Sequence, residues 1–146
     1  MRCVLCGGRD YTFETIDTFW LDSFHKEYKI TECITGGASG ADNNGHFWAV
    51  RAGIDTVEIH ANWEKYGKKA GFIRNKKMLY YLLNDEAQSL YNDYEVSVIA
   101  FKGGDGTAGM VSIAKQTGVK IYYPLEPINE KPVRLQDMPK INTIKR

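Results

Sequence analysis

Apolar positions along the chain fall into short continuous runs that alternate with longer stretches of helical spacing. Five runs predict buried strands at Cys3–Cys6, Glu32–Thr35, Thr56–Ile59, Val96–Phe101 and Lys120–Tyr123. The run Val96–Phe101 is β-branched throughout much of its length, which is typical of a central parallel strand. Strands separated by helices predict an α/β fold with a parallel sheet and helices packed on it.

The stretches between these runs predict four helices, over about 13–27, 42–52, 73–83 and 107–117. The expected N-caps are Asp10 or Thr12, then Asp42 or Asn43, and Thr107 for the last helix. Their spacing turns one apolar set toward the core: Phe13, Ile16, Trp20, Phe24, Phe47, Val50, Met78, Leu79 and Leu82. Residues 60–71 have no clear period and are interpreted as a loop, and the acidic segment 85–95 as a helical or irregular connection.

Length and charge bound the class of protein. The 146 residues suit one domain, expected over 1–123, with a tail over 124–146 that holds all four prolines and packs on the domain or on a partner subunit. The net charge of +1 does not favour binding to nucleic acid or to an anionic membrane. No apolar run reaches 18 residues, and the apolar N-terminal stretch is too short for a signal peptide, so we expect no membrane partner.

The cysteines and histidines give no metal or disulfide pattern. Three cysteines is an odd number, which favours a reducing cytoplasm, and Cys3 and Cys6 lie in a predicted buried strand as inert core thiols. His25 and His46 have no second ligand at metal spacing, and His60 follows a strand without an acidic partner in register. We therefore expect no metal site.

Glycine is the residue type that points to a site. Eight of the 14 glycines lie in three runs, and each run follows a predicted strand and precedes a helix. Glycine at such turns lets backbone N–H groups approach an anion, and the helix N-terminus adds a positive dipole. The runs also serve simply as tight turns, but three of them at one sheet edge favour a phosphate-bearing ligand. None is a Walker A motif or a full dinucleotide fingerprint, so kinases, P-loop ATPases and dehydrogenases are disfavoured.

A basic segment follows the third strand. Between positions 60 and 80 it holds Lys65, Lys68, Lys69, Arg74, Lys76 and Lys77 against a single Glu64. A solvated face explains the lysines equally well, whereas Arg74 opens a predicted helix and suits bidentate phosphate binding. Trp63, Tyr66 and Phe72 either stack on a base or pack beneath the loop, and we expect Trp63 to pack.

Four motifs in this order resemble one known family. They read Cys6-Gly7-Gly8-Arg9-Asp10-Tyr11, Thr35-Gly36-Gly37-Ala38-Ser39-Gly40-Ala41-Asp42, Ala70-Gly71-Phe72-Ile73-Arg74-Asn75 and Gly103-Gly104-Asp105-Gly106-Thr107. Over residues 2–123 the chain resembles the YspA-like branch of the SLOG superfamily, which is related to the Lonely Guy enzymes and to DprA. The resemblance implies a Rossmann-like three-layer sandwich, with a mostly parallel sheet of five or more strands, that binds nucleotides or molecules derived from them.

The resemblance does not settle whether such a ligand is cleaved. Lonely Guy enzymes cleave the N-glycosidic bond of nucleoside monophosphates with an arginine and a glutamate. Here Arg74 and Met78 keep part of the arginine motif, Asn75 replaces its lysine, and the glutamate position falls on Met110. A methionine cannot move a proton. Asp42, Glu64 or Asp105 could supply a carboxylate instead, so the catalytic residues are left unknown.

These observations favour a binding protein that senses or sequesters a nucleotide-type ligand such as an ADP-ribose-like molecule, with no cofactor. The alternatives are a phosphoribohydrolase and, least favoured, a nucleic-acid-binding protein. A homo-oligomer, dimer or tetramer, is expected from the resemblance, with Trp20, Phe24, Leu79–Leu83 or the tail at its interface. The expected ligand-binding residues are Gly7, Gly8, Arg9, Asp10, Gly36, Gly37, Ala38, Ser39, Gly40, Asp42, Arg74, Asn75, Gly103, Gly104, Gly106 and Thr107.

Overall fold

A computed structural model describes residues 1–84 and 95–138 of the chain. The strands are β1 (Arg2–Cys6), β2 (Glu32–Thr35), β3 (Asp55–Glu58), β4 (Glu95–Ala100), β5 (Lys120–Tyr122) and β6 (Val133–Arg134). The helices are α1 (Thr15–Tyr28), α2 (Ala41–Arg51), α3 (Trp63–Tyr66), α4 (Ala70–Leu82) and α5 (Asp105–Thr117), with 3-10 turns at Gly67–Lys69 and Leu135–Asp137. The five predicted strands are confirmed to within one residue at either end.

The strands form one sheet in the order β3-β2-β1-β4-β5. All neighbours along this order are parallel, and β6 adds an antiparallel pair with the start of β4. The order runs outward from β1 in one direction and from β4 in the other. The chain is therefore an α/β protein with a Rossmann-like sheet, and the point where the strand order reverses lies between β1 and β4.

Helices cover both faces of the sheet, which makes the predicted three layers. On one face Cys3 and Leu5 of β1 pack with Phe24 of α1 and Trp48 of α2. On the other face, alternate residues of the same strands pack with α4 and α5, in a cluster that includes Val4, Ile34, Met78, Leu79 and Met110. Alternation of side chains along each strand divides one continuous apolar run between two cores.

A buried ion pair anchors α4 to the sheet. The Arg2 guanidinium bonds to Glu32 Oε1 at 3.0 and 3.1 Å and donates to the Leu82 carbonyl at 2.8 Å. The Tyr81 hydroxyl donates to the other oxygen of Glu32 at 2.8 Å. The C-terminal end of α4 is thus bonded to the amino edge of the sheet, and its N-terminal end lies near the opposite edge, where the strands end.

The predicted helix starts are wrong in their caps. Glu14 caps α1 in a capping box with Asp17, rather than Asp10 or Thr12. Gly40 precedes α2, so Asp42 and Asn43 lie inside its first turn; Gly104 precedes α5, so Thr107 also lies inside. Neither glycine has a side chain to bond the first amides, so these two starts carry no cap signal that a sequence pattern can detect.

The inward faces are partly as predicted. Phe24, Met78, Leu79 and Leu82 are buried as expected, and Phe13 and Trp20 are partly buried against the core. Ile16, Phe47 and Val50 are exposed, and Trp48 and Ala49 are buried in their place. Because Trp48 adjoins Phe47 in sequence, the apolar pattern alone does not fix which face of α2 meets the sheet. Phe24, Leu79 and Leu82 are enclosed within the chain, so the expectation that they form an oligomer interface is wrong.

Two connecting segments differ from the prediction or lie outside the described residues. The segment 60–71 is not an irregular loop throughout: Asn62 caps α3 by accepting from the Lys65 amide at 3.0 Å, and a 3-10 turn leads into α4 at Ala70. The prediction for 85–95 falls mostly on residues 85–94, which lie outside the described part of the chain.

The tail returns to the domain over its described length. Val133 and Arg134 pair with β4, and the Tyr122 hydroxyl donates to the Glu130 carbonyl at 2.8 Å. The boundary at 123, and packing of the tail on a partner subunit, stay predictions. The three cysteines are buried and free, as predicted. Among the described residues, no helix has both the length and the apolar character needed to cross a membrane.

Candidate functional site

Three turns at the carboxyl edge of the sheet are bonded to one another. They follow β1 (residues 7–10), β2 (residues 36–40) and β4 (residues 101–104). The Gly8 amide donates to the Lys102 carbonyl at 2.8 Å, and the Gly8 carbonyl accepts from the Ala41 amide at 3.0 Å. The Ser39 hydroxyl donates to the Arg9 carbonyl at 3.2 Å. The β1 turn is therefore fixed between the other two.

Gly40 shows why glycine is needed where these turns meet. Its φ is +74°, in the left-handed region that favours glycine. A Cβ at this position would also collide with the carbonyl oxygens of Gly8 and Arg9. Part of the glycine surplus therefore serves close packing of one turn on another, rather than contact with a ligand.

An open cleft of about 510 Å³ lies beside these turns, at the reversal point between β1 and β4. Its wall includes residues from the β1 turn, α2, α3, α4 and α5. The lining residues are Cys6, Gly7, Gly8, Arg9, Asp10, Ala38, Asp42, Trp63, Lys68, Gly71, Phe72, Arg74, Asn75, Met78, Gly104, Asp105, Gly106, Thr107 and Gly109. Its volume lies in the range of small-molecule sites.

The cleft brings together eleven of the sixteen residues expected to bind a ligand. These are Gly7, Gly8, Arg9, Asp10, Ala38, Asp42, Arg74, Asn75, Gly104, Gly106 and Thr107. Five others do not line it: Gly36, Gly37, Ser39, Gly40 and Gly103. These five lie in the same turns, where Gly40 and Ser39 hold the β2 turn against the β1 turn.

Asp42 and Arg74 face each other next to Gly36. The Asp42 carboxylate is 5% exposed and accepts from the Ala38 amide at 3.3 Å. Burial raises the pKa of Asp42, while backbone amides of the β2 turn and the charge of Arg74 act to lower it. Burial lowers the pKa of Arg74, and the charge of Asp42 opposes that shift. The amides of the β2 turn are thus directed at a carboxylate of the protein.

Arg74 and its neighbour connect the turns to both helices on this face. Arg74 Nη1 donates to the Gly36 carbonyl at 3.0 Å, and its Nε donates to Asn75 Oδ1 at 3.2 Å. Asn75 Nδ2 donates to the Gly106 carbonyl at 3.0 Å. Asn75 is buried, so its amide sets the position of the first turn of α5 relative to α4.

The first turn of α5 opens into the cleft. It contributes four consecutive lining residues, 104–107, and has no side-chain cap. A Cβ built on Gly104 or Gly106 meets no atom within 4 Å, so the space in front of these residues is open. The free N–H groups and the helix dipole favour an anion at this position.

Several cleft residues were not expected from the sequence. Trp63 is 48% exposed and lines the cleft, so the expectation that it packs beneath a loop is wrong. Phe72 and Asp105 also line it, and the sequence had offered them as a base-stacking residue and as a carboxylate. The remaining lining residues outside the expected set are Cys6, Lys68, Gly71, Met78 and Gly109. Phe72 and Lys68 belong to the basic, aromatic segment, which was the available signal. Burial, with the charge of Asp42, raises the pKa of the Cys6 thiol to about 12, so this thiol is protonated at neutral pH.

The position that holds glutamate in Lonely Guy enzymes does not reach the cleft. Met110 is fully buried in the core between α4, α5 and the sheet. The cleft carboxylates are Asp10, Asp42 and Asp105. Glu64 does not line the cleft, which removes one of the three carboxylates considered as a replacement.

The histidines also differ from the sequence expectation. Glu58 lies between two imidazoles, with Oε1 3.4 Å from His46 Nδ1 and Oε2 3.5 Å from His60 Nε2. His60 therefore has an acidic partner two residues earlier on β3. Within residues 1–84 and 95–138, no three His, Cys, Asp or Glu side chains are grouped so as to hold a metal ion.

Comparison with known proteins relates this chain to a described family. The family model of the YspA, cpYpsA-related SLOG family matches residues 1–66. The chain is also 36% identical over 86 residues to the "Gene 61 protein" of Mycobacterium phage D29, an alignment that covers 53% of this chain and 67% of that protein. The chain belongs to the YspA, cpYpsA-related SLOG family. The family model spans the turns after β1 and β2 and α3, whereas Arg74 and the first turn of α5 follow it along the chain. Membership of this SLOG family indicates nucleotide-related binding or processing as the class of function.

Proposed function

We propose that this protein binds a nucleotide or a nucleotide-derived ligand, such as an ADP-ribose-like molecule, in the cleft between β1 and β4. The observation that carries the proposal is the set of positive groups that line the cleft. Two arginines, a lysine and the open N-terminus of α5 line the same 510 Å³ space. Parallel α/β sheets bind ligands at this edge, where the strand order reverses.

The phosphate end of the ligand lies at the first turn of α5. Gly104 and Gly106 leave room for close approach to the backbone, and the Thr107 hydroxyl adds a donor on the cleft wall. Arg9 is exposed and its backbone is held by Ser39, so its side chain reaches the phosphate while the turn stays in place. Each charge-assisted bond of this kind contributes about 1.5–3 kcal/mol.

The sugar lies toward Asp42 and Asp10. Carboxylates accept hydrogen bonds from ribose hydroxyls, and both side chains line the cleft. Asp42 repels a second anion at its own position, so it favours a hydroxyl-bearing part of the ligand there. This arrangement gives the ligand one orientation, with phosphate toward α5 and ribose toward α2.

Calorimetric titration tests the proposal. The ligands are AMP, ADP-ribose, ribose 5-phosphate and inorganic phosphate, with the monophosphates of the other bases as a specificity set. We expect saturable binding of at least one nucleotide that is tighter than the binding of inorganic phosphate. A protein that binds none of them at millimolar concentration does not have the proposed function.

A second function, cleavage of the N-glycosidic bond of a nucleoside monophosphate, is favoured by one observation. Asp42 is a buried carboxylate with a raised pKa in the cleft wall, which are properties of a residue that transfers protons. Met110 argues against it, because the side chain is enclosed in the core. The test is chromatographic detection of free adenine from AMP with wild-type protein and with Asp42→Asn. Base release in the wild type that is lost in the variant would favour the hydrolase.

A further inference from the structure

One aromatic surface in the cleft is occupied by a side chain of the protein. Trp63 stands in the cleft wall with nearly half of its surface exposed. The Arg9 guanidinium carbon lies 5.2 Å from the centre of the Trp63 ring. A guanidinium is planar and stacks on an aromatic face as a nucleobase does.

Trp63 is supported from behind by the start of α4. Its six-membered ring lies next to Gly71, where a Cβ would come within 3.4 Å of Trp63 Cη2. The indole therefore lies beside the first turn of α4, with nearly half of its surface still exposed. Phe72, the next residue of α4, is also exposed and lines the same cleft.

Arg9 is able to leave the indole without unfolding its turn. Its carbonyl accepts from Ser39, and the neighbouring Gly8 is bonded to both adjacent turns, so its backbone is fixed. The side chain itself is exposed. An exposed cation–π contact is weak and changes a binding constant only about two- to fivefold, so a ligand displaces the guanidinium at small cost.

We propose that the base of the ligand stacks on Trp63 in place of the Arg9 guanidinium, and that the released Arg9 then binds the phosphate. This inference rests on the proposed function. The inference requires a ligand that carries a planar base, and it excludes a ligand that is only a phosphorylated sugar. Arg9 thereby covers the aromatic face of Trp63 before the ligand binds, and binds the phosphate afterwards.

The test compares AMP, ADP-ribose, ribose 5-phosphate and adenosine on variants of the full chain. Trp63→Ala is expected to weaken the binding of AMP and of ADP-ribose roughly 10- to 100-fold, the usual effect of losing one base stack. Trp63→Phe is expected to have an intermediate effect on both affinities. Ribose 5-phosphate has no base to stack, so Trp63→Ala is not expected to weaken its binding. Phe19→Ala, at an exposed aromatic residue outside the cleft lining, is the control and leaves all four affinities as in the wild type.

Arg9→Ala separates the two roles of the arginine. It is expected to weaken the binding of AMP, which loses a phosphate contact. The binding of adenosine is expected to become about two- to fivefold tighter, because no guanidinium has to be displaced. Fluorescence gives a second readout: AMP changes the emission of wild-type protein more than that of Trp63→Phe, and more than ribose 5-phosphate changes either.

The outcomes distinguish this inference from the proposed function. If AMP or ADP-ribose binds the wild type and Trp63→Ala leaves that affinity unchanged, the stacking inference is overturned and the proposed function stands. Equal weakening of ribose 5-phosphate also overturns it, because the effect then comes from a damaged cleft. If wild-type protein binds no nucleotide, the monophosphates of the other bases included, both are overturned.

Discussion

Arg74 is a cleft cation that is bonded to the backbone of a neighbouring turn. It donates to the Gly36 carbonyl and to Asn75 and faces Asp42 across the β2 turn. In the described part of the chain its Nη2 has no hydrogen-bond partner. One edge of the guanidinium therefore holds the turn, and the residue also lines the cleft.

Replacing Arg74 tests this division. Arg74→Ala is expected to weaken AMP binding by about 1.5–3 kcal/mol, the contribution of a charge-assisted hydrogen bond. Arg74→Lys keeps the charge but not the planar fork, so it recovers only part of the loss. Calorimetry measures both, with Arg51→Ala on the exposed end of α2 as the control. Unchanged affinity in Arg74→Ala would remove this residue from the site.

Asp42 makes stability depend on pH in a defined direction. Burial raises its folded-state pKa above the ordinary value of 3.8, so between the two pKa values the folded protein holds more protons than the unfolded one. Stability contributed through this group therefore falls as the pH rises from about 4 through the folded-state pKa. Asp42→Asn has no such group. We expect the unfolding free energy of the variant, minus that of the wild type, to increase from pH 4 to pH 7.

Urea unfolding at several pH values between 4 and 7 measures this difference. The matched control is Asp55→Asn, at an exposed aspartate at the start of β3. A difference for Asp42→Asn that stays constant or falls with pH would contradict the expectation. Only the pH dependence is diagnostic, because the substitution also changes a hydrogen bond to Ala38.

Residue burial was predictable from the sequence only where the apolar pattern was compatible with a single buried face of the helix. Phe24, Leu79 and Leu82 were placed in the core correctly. Phe47 and Trp48 are adjacent and both apolar, so the pattern did not show which one faces the sheet; the structure buries Trp48, whose Nε1 donates to Asp22 on α1 at 2.9 Å. The orientation of α2 goes with a contact to α1, and the apolar pattern of α2 alone contains no information about that contact.

At the scale of elements, the packing of one turn on another depends on Gly40. Gly53, at the end of α2, offers a close comparison because its φ of +76° is almost the same while a Cβ there meets no atom within 4 Å. Gly53→Ala is expected to cost about 1–2 kcal/mol of unfolding free energy, the penalty of the left-handed conformation alone. Gly40→Ala has the same conformational cost, and its Cβ also collides with the β1 turn. We therefore expect this variant to lose more unfolding free energy than Gly53→Ala and to bind AMP more weakly than the wild type.

Chemical denaturation and calorimetry on the two variants test this comparison. Gly53→Ala should bind AMP as the wild type does, because the residue is remote from the cleft lining. If the two variants lose the same stability and keep the same affinity, the interlocking of the turns has no energetic role.

The element boundaries show where sequence reasoning worked. Strands were predicted to within a residue, because continuous apolar runs have clear ends. Helix starts were missed where Gly40 and Gly104 precede the helix, since neither offers a capping side chain. The three glycine turns were found from their position between strand and helix. The place of Trp63 in the cleft lining was not, because α3 is one turn long and has no period to detect.

At the scale of the whole molecule, assembly into a dimer or tetramer stays a prediction. Four exposed apolar side chains lie on α1 and α2, on the same face of the sheet: Ile16, Phe19, Phe47 and Val50. Native mass spectrometry is expected to give a dimer or tetramer for the wild type and a monomer for Phe47→Glu. Dissociation by Ile128→Glu instead would assign the interface to the tail, and a monomeric wild type would contradict the prediction.

The bonds on both sides of Gly8 also determine how a ligand meets the cleft. Since the turns after β1, β2 and β4 cannot separate without breaking backbone hydrogen bonds, the main chain around the cleft is already ordered before binding. The entropy of ordering these segments is lost during folding and not again during association. Discrimination between ligands of different shape then follows from the fixed backbone of these three turns. The adjustment to each ligand is confined to side chains such as Arg9.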